Sequence, residues 1–299
     1  MKKIILFACL FYNVVSASSS AGILVLQSDF GVKDAAVAEM KGTALQVDEH
    51  LVIVDNTHQI EPFDIWEGAY RLFQSIKTFP KNTVFVSVID PGVGTDRKSI
   101  VVKTKDDHYI VTPDNGTITF IDNEIGIAEA REIDETKHRV AGSEVSYTFY
   151  GRDVYVYTGA KLASGKISFE DVGKAIDIKK LKRFDYQQPE FKKGALHGNI
   201  PILDVNYGNV WTNIDRQTAN NIKLKHGSKY DILITDGIKN SFIGDVVYDN
   251  TFGNVPEGKP VLYFNSLGCL AVGLNVGNFA KAYGVKYGPN WKISISKAK

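Results

Sequence analysis

Ile23-Leu24-Val25-Leu26-Gln27 runs directly into Ser28-Asp29-Phe30-Gly31. A short apolar run closed by a polar, glycine-bearing turn reads as a buried strand that delivers the chain to a loop at the edge of a sheet. The period then changes. Across Asp34–Val47, the residues Val37, Met40, Ala44 and Val47 recur at helical spacing and share one face. Leu51–Val54 is a second strand, followed by Asp55, Thr57 and His58. Asp64–Ile76 is a second helix, offering Trp66, Ala69, Leu72, Phe73 and Ile76 to a core. Thr83–Ile89 repeats the strand pattern and ends at Asp90. Strand, helix, strand, helix, strand predicts an α/β N-terminal domain with a mostly parallel sheet covered by helices.

In sheets of this kind ligands bind beyond the carboxyl ends of the strands. Three strands here lead into acids, Asp29, Asp55 and Asp90. Aspartate also favours turns and helix N-caps, so each one alone has a structural alternative. Three in register single out that edge as the place for a site.

The texture changes around Lys179–Lys193, where charges, Pro189 and paired glutamines read as a linker. Beyond it the chain is β-like. Strands are expected at Gly198–Val205, Tyr230–Thr235, Phe242–Tyr248, Lys259–Phe264 and Trp291–Ile295, separated by Gly and Asn turns. The expected organisation is an N-terminal domain over 22–188 and a smaller β-rich C-terminal domain, barrel or sandwich, over 189–299.

Lys2 and Lys3 precede an apolar run, Ile4–Val15, and then small residues, Ser16–Ala21. This is the pattern of a secretory signal peptide over residues 1–21, with Val15-Ser16-Ala17 fitting the cleavage rule and Ser19-Ser20-Ala21 fitting it less closely. The run is short for a membrane span. A secreted or periplasmic protein without stable membrane association is therefore expected. Cleavage removes Cys9 and leaves Cys269 as the only cysteine, so the mature chain has no internal disulfide. Its fold must rest on core burial, which 299 residues with 44% hydrophobic content allow in two domains. Taking Lys2 and Lys3 from 35 basic residues leaves 33 against 34 acidic ones. No field of one sign exists to hold a polyanion, which argues against nucleic acid as a partner.

Motifs accumulate in order along the chain. They are Ser28-Asp29-Phe30-Gly31, Met40-Lys41-Gly42, Asp55-Asn56-Thr57-His58, Phe79-Pro80 and Asp90-Pro91-Gly92-Val93-Gly94-Thr95. Pro113-Asp114-Asn115-Gly116 and Thr148-Phe149-Tyr150-Gly151-Arg152-Asp153 follow. The second half adds Gly208-Asn209-Val210-Trp211-Thr212-Asn213-Ile214 and Asn265-Ser266. This ordered set resembles the S-adenosylmethionine hydroxide adenosyltransferases, relatives of fluorinase and chlorinase, from about Ile23 to the C-terminal region. The resemblance implies an α/β domain followed by a β-rich domain, and a homotrimer with active sites between subunits. It implies hydrolysis of S-adenosylmethionine to adenosine and methionine, with no cofactor and no metal.

In that reaction water or hydroxide displaces the methionine thioether at the ribose C5′. The sulfonium is already activated, so the site must supply an aligned, desolvated nucleophile rather than an acid. The resemblance makes Asp90 and Arg97 the catalytic pair, seven residues apart across a Gly-rich turn. A carboxylate held by an arginine is a weak base, so orienting water is the expected role of Asp90. The family's hydrolases often carry His where this chain has Tyr150, which makes Tyr150 the candidate third member. The halogenase pattern fails at Asp90, where fluorinase has an aromatic hydroxyl residue, and at Gly151, where it has a serine. A carboxylate beside the nucleophile repels halide.

For substrate, the resemblance assigns Asp29 to the ribose diol, Asp204 to the methionine ammonium, Asn209 to adenine and Ser266 to the methionine carboxylate. Leu267 stands where fluorinase has Arg. Phe63, Phe149 and Trp211 are expected to wall the pocket, the alternative being ordinary core aromatics. His58 lacks a second His or Cys at ligand spacing and reads as structural. Arg152 and Asp153 read as an interdomain or intersubunit ion pair. A second reading of the whole chain is an exported adenosine- or S-adenosylmethionine-binding protein with weak or lost catalysis, motivated by Tyr150 and Leu267.

Overall fold

A computed structural model describes residues 21–298, so the expected signal peptide lies outside the described residues apart from its last residue. The opening run forms β1 (Ile23–Ser28), followed by α1 (Ala36–Val47), β2 (Val52–Thr57), α2 (Ile65–Ile76) and β3 (Val84–Val88). Then come β4 (Ser99–Thr104), β5 (Tyr109–Pro113), α3 (Thr119–Glu124) and β6 (Ile127–Glu132). These six strands form one mixed sheet in the order β2-β1-β3-β5-β4-β6. The β1–β2, β1–β3 and β3–β5 ladders are parallel, whereas β4 runs antiparallel to both β5 and β6.

The alternation of β1 explains its burial on both faces. Leu24 and Leu26 point to a layer containing Met40, Ala44 and Val47 of α1 with Val154 and Ala160. Val25 points to the opposite layer, with Leu72 and Ile76 of α2 and Ile118 and Ile121 near α3. Period two on the strand meets period 3.6 on both covering helices, which is why so short a run decides the layering. Each fully buried Leu, Ile or Val contributes roughly 1.5–3 kcal/mol of transfer free energy. Helix α2 begins where Asp64 caps it, accepting from the Glu67 N–H at 2.9 Å.

The C-terminal domain contains β7 (Glu190–Lys192), β8 (Ala195–Asn199), β9 (Ile202–Leu203), β10 (Val210–Asp215), β11 (Lys229–Thr235), β12 (Asn240–Tyr248), β13 (Pro260–Phe264), β14 (Cys269–Leu274) and β15 (Lys292–Lys297). They make a single nine-stranded sheet, β7-β8-β15-β11-β12-β13-β14-β10-β9, antiparallel except for β12–β13. It encloses its own core, including Ile214, Tyr230, Ile232, Val272, Phe279 and Ile295. The expected strand Gly198–Val205 is broken at Ile200–Pro201 into β8 and β9, because proline cannot donate to the ladder.

The expected linker is docked rather than bare. Lys182 N–H donates to Asp114 at 2.8 Å, and Arg183 donates to Asp122 at 2.6 Å. Phe184 and Tyr186 pack edge-on against Trp66, at centroid distances of 5.6 and 5.4 Å. Trp66 in turn donates to the Pro201 carbonyl at 2.7 Å, tying α2 to the second domain. Tyr287 adds a second tie, donating to the Asp64 cap at 2.8 Å.

Candidate active site

Ser28 of β1 pairs with Val88 of β3, so Asp29 and Asp90 leave the sheet from adjacent parallel strands at the same edge. Asp55 does not join them. It lies inside β2, which runs on to Thr57, and its carboxylate is taken by Lys41 at 2.6 Å and His58 at 3.1 Å. Of the three acids expected in register, two remain for chemistry.

Asp90 and Arg97 form a bidentate pair, with Nε to Oδ1 at 2.8 Å and Nη2 to Oδ2 at 2.5 Å. The side chains are 6% and 11% exposed, so the pair is nearly dehydrated. Arg97 also donates from Nη1 to Ser99 Oγ at 3.0 Å. Burial works to lower the pKa of the guanidinium, but the Asp90 hydrogen bonds together with the electrostatic influence of Tyr155, Asp90 and Tyr150 outweigh it, so the group is held above its ordinary value. Four donor and acceptor positions are fixed this way, which pre-orients the carboxylate at no cost during reaction.

Tyr150 reaches this pair, but by its ring. The Arg97 guanidinium lies 4.9 Å from the Tyr150 centroid, and Arg139 lies 4.9 Å from the same ring. Burial raises the phenol's pKa against the influence of Arg139. The hydroxyl that approaches the carboxylate belongs instead to Tyr155, 3.4 Å from Asp90 Oδ2. Burial and then the Asp90 charge push this phenol well above its usual range, so it stays a neutral donor. Sequence reasoning missed Tyr155 because Gly151–Val156 is a π-helical turn running into α4 (Tyr157–Ala163). A search at period 3.6 does not bring i and i+5 together, and a π turn does.

Gly151 matters at this turn. A Cβ there would lie 3.0 Å from the Phe30 ring, so a serine at this position needs that ring to give by a few tenths of an ångström. Phe149, the residue two before it, packs edge-on against Phe30 at 5.8 Å. Arg152 pairs with Asp153 at 2.7 Å and with Glu39 of α1 at 2.7 Å. That corrects the expected interdomain or intersubunit pair to one within the first domain.

Asp29 accepts from the Phe63 N–H at 2.9 Å. Phe63 adopts φ 70°, a costly conformation for an aromatic residue, and its side chain is 71% exposed. It stands beside Asp29.

Asp204, Asn209, Trp211 and Ser266 come together, although up to 62 residues separate them, around one cavity of about 510 Å³. Tyr207, Phe252 and Tyr263 complete much of its wall. Asn209 donates to Asp204 at 3.4 Å, and Asp204 N–H bonds the Asn209 carbonyl at 2.9 Å. Gly208 makes this turn possible: φ is 64°, and a Cβ would sit 1.9 Å from Asn278 Oδ1. Asp29, Phe63, Asp90, Arg97, Phe149 and Tyr150 do not line this cavity. The predicted residues thus form two half-sites, one on each domain. Among the described residues no cluster of three His, Cys, Asp or Glu is placed to hold a metal, and no helix is long and apolar enough to cross a membrane.

His58 and His138 are both buried, and burial holds each imidazole below its ordinary 6.5. A base with a depressed folded pKa gives stability present above the unfolded value and lost as pH falls through the folded one. The melting temperature is therefore expected to be flat above about pH 7 and to fall below about pH 6.5, ahead of carboxylate titration. A melting temperature constant from about pH 8 to about pH 5 would remove this linkage.

Residues 24–173 match the family model for the SAM hydroxide adenosyltransferase N-terminal domain, and residues 198–292 match that for its C-terminal domain. A curated (R)-S-adenosyl-L-methionine hydrolase from Methanocaldococcus jannaschii is 32% identical, over 89% of this chain and 93% of the relative. A fluorinase from Actinopolyspora mzabensis is 29% identical, over 94% of this chain and 100% of the relative. An uncharacterized conserved protein from Thermotoga maritima, whose crystal structure is solved, superposes with a TM-score of 0.81 at 31% identity. That superposition covers 92% of this chain and 100% of the other. Both domains, in order and over most of the sequence, place this chain in the S-adenosylmethionine hydroxide adenosyltransferase family.

Proposed function

We propose that the protein hydrolyses S-adenosylmethionine to adenosine and L-methionine. The observation that carries this reading is the buried, bidentate Asp90–Arg97 pair at the sheet edge that also bears Asp29. A water held by Asp90 attacks C5′, the C5′–S bond breaks, and the thioether leaves with the electron pair. The proton released by the water passes to solvent, with Asp90 orienting the attack. A fixed carboxylate at this position disfavours halide as nucleophile.

In this reading Asp29 binds the ribose diol, beside Phe63 and Phe149. Asp204 takes the methionine ammonium, Asn209 reads adenine, Trp211 walls the base and Ser266 meets the carboxylate. One substrate needs both half-sites, so we place the N-terminal half against the C-terminal cavity of a neighbouring subunit, in a homotrimer. The exposed apolar residues beside the two halves support this: Phe63 near one, and Tyr207 and Val276, 65% and 78% exposed, at the other.

The test is adenosine release by the purified protein in halide-free buffer, expected as adenosine and methionine in equal amounts. Absence of adenosine, or a 5′-halogenated product when chloride is added, would overturn the reading. We also propose that the protein is exported after cleavage near residues 17–21. N-terminal sequencing of the mature protein should begin near Ser18 or Gly22, and an intact Met1 on a cytoplasmic product would sink the idea.

A further inference from the structure

His58 lies 30 residues from Ser28 in sequence, yet its Nδ1 is 2.7 Å from Ser28 Oγ. Its Nε2 is 3.1 Å from Asp55 Oδ1, and the other oxygen of Asp55 takes Lys41 Nζ at 2.6 Å. Serine, histidine and aspartate in contact are the residue types of a nucleophilic triad. Here the serine is fully buried, at 0% exposure, and its hydroxyl is spent inside the fold. The constellation therefore needs a different role.

Donor counting fixes the protons. A carboxylate only accepts, so Nε2 carries the hydrogen and Nδ1 presents a lone pair. Ser28 then donates to Nδ1, and its oxygen accepts the Phe30 N–H at 3.3 Å. The His58 carbonyl meanwhile accepts the Gly31 N–H at 2.7 Å. His58 thus fastens Ser28 and Gly31 directly, and Phe30 through the Ser28 hydroxyl, on both sides of Asp29 in the chain. The loop following His58 also supplies Phe63, whose N–H occupies Asp29 Oδ2 and leaves Oδ1 for another donor.

We propose that His58 is a positioning residue for ribose recognition: the Asp55–His58–Ser28 relay sets the direction of the Asp29 carboxylate. This rests on the reading of Asp29 as the acceptor of the ribose diol. Two hydroxyls on adjacent carbons demand a carboxylate held to within a few tenths of an ångström. His58 and Ser28 supply that from buried positions, 3% and 0% exposed, behind the loop that bears Asp29, so loss of the relay blurs selectivity between ribose and deoxyribose.

The readout is the ratio of dissociation constants for 2′-deoxyadenosine and adenosine, measured by calorimetry on the full-length mature protein. The wild type is expected to favour adenosine by at least about tenfold. His58→Phe should bring the ratio to within about threefold of unity, and His58→Asn, whose Oδ1 can still accept from Ser28, should recover part of it. Ser28→Ala removes only the hydroxyl and tests the same relay if His58→Phe fails to fold. A wild-type ratio in folded His58→Phe or Ser28→Ala, with Asp29→Ala abolishing selectivity, overturns the inference and leaves the role of Asp29 standing. Equal weakening toward both nucleosides also overturns it, since that marks a merely structural role. A wild-type ratio near one removes the ribose reading itself.

Discussion

Asp90→Asn is expected to slow single-turnover release of adenosine by about 10²–10³-fold while leaving S-adenosylmethionine affinity within about threefold. Water gains positive charge only as its bond to carbon forms, so the groups that hold it act mostly in the transition state. Asparagine keeps the size of the side chain but turns one acceptor into a donor. One of the two bonds to Arg97, now 2.8 and 2.5 Å, then becomes a clash of N–H groups. Arg97→Ala should match the kinetic defect and add a folding one. It leaves a carboxylate with 6% side-chain exposure and no cation, a loss of about 3–5 kcal/mol for a broken buried pair. Denaturant unfolding measures that loss, and rapid-quench kinetics measure the rate. Normal single-turnover rates in both variants would leave this turn with only a structural role.

The N-terminal layering was legible because β1 carries it in five residues. Leu24, Val25 and Leu26 are 0%, 1% and 0% exposed, and an apolar run of that length admits no polar face. What followed Asp90 was not legible by the same means. Strand β4 begins only after the Asp90–Arg97 turn and runs backward against β5 and β6, and nothing in Ser99–Thr104 itself encodes direction. A strand's apolar content predicts its burial, while its orientation follows from connection geometry that periodicity does not record. The docking of the linker was not legible for a related reason. Phe184 and Tyr186 sit among charges in the sequence, and their partner, Trp66, is more than 100 residues away.

The site was legible in its residue types and not in its assembly. Asp204, Asn209, Trp211 and Ser266 entered by resemblance and meet around one cavity. Asp90 and Arg97 were paired by the same resemblance and are paired in space. Tyr155 escaped because helical period fails across a π turn, and His58, which lacks a second His or Cys at ligand spacing and so reads as structural, meets Ser28 only in the fold. Asp55 misled in the other direction. It shares a strand-end pattern with Asp29 and Asp90, and only the fold reveals that Lys41 and His58 have claimed it.

Asp29→Ala is expected to weaken adenosine binding by about 30-fold or more, roughly 2 kcal/mol, while changing stability by less than about 1 kcal/mol. Hydrogen bonds from two hydroxyls to one carboxylate are charge-assisted, and that class is the strongest available to a nucleoside. The side chain is only partly buried, so its removal leaves no sizeable cavity. The one internal bond lost is to the Phe63 N–H, and that amide, on an exposed residue, can turn to water. Release of Phe63 from φ 70° even returns some strain energy. Binding and folding should therefore separate cleanly at this position. Asp29→Asn provides the finer cut, since an amide oxygen can still accept from Phe63 and from one hydroxyl but lacks the charge; an intermediate loss is expected. Calorimetry with adenosine against the wild type and both variants decides the matter. Undiminished affinity in folded Asp29→Ala would move ribose recognition away from this loop altogether.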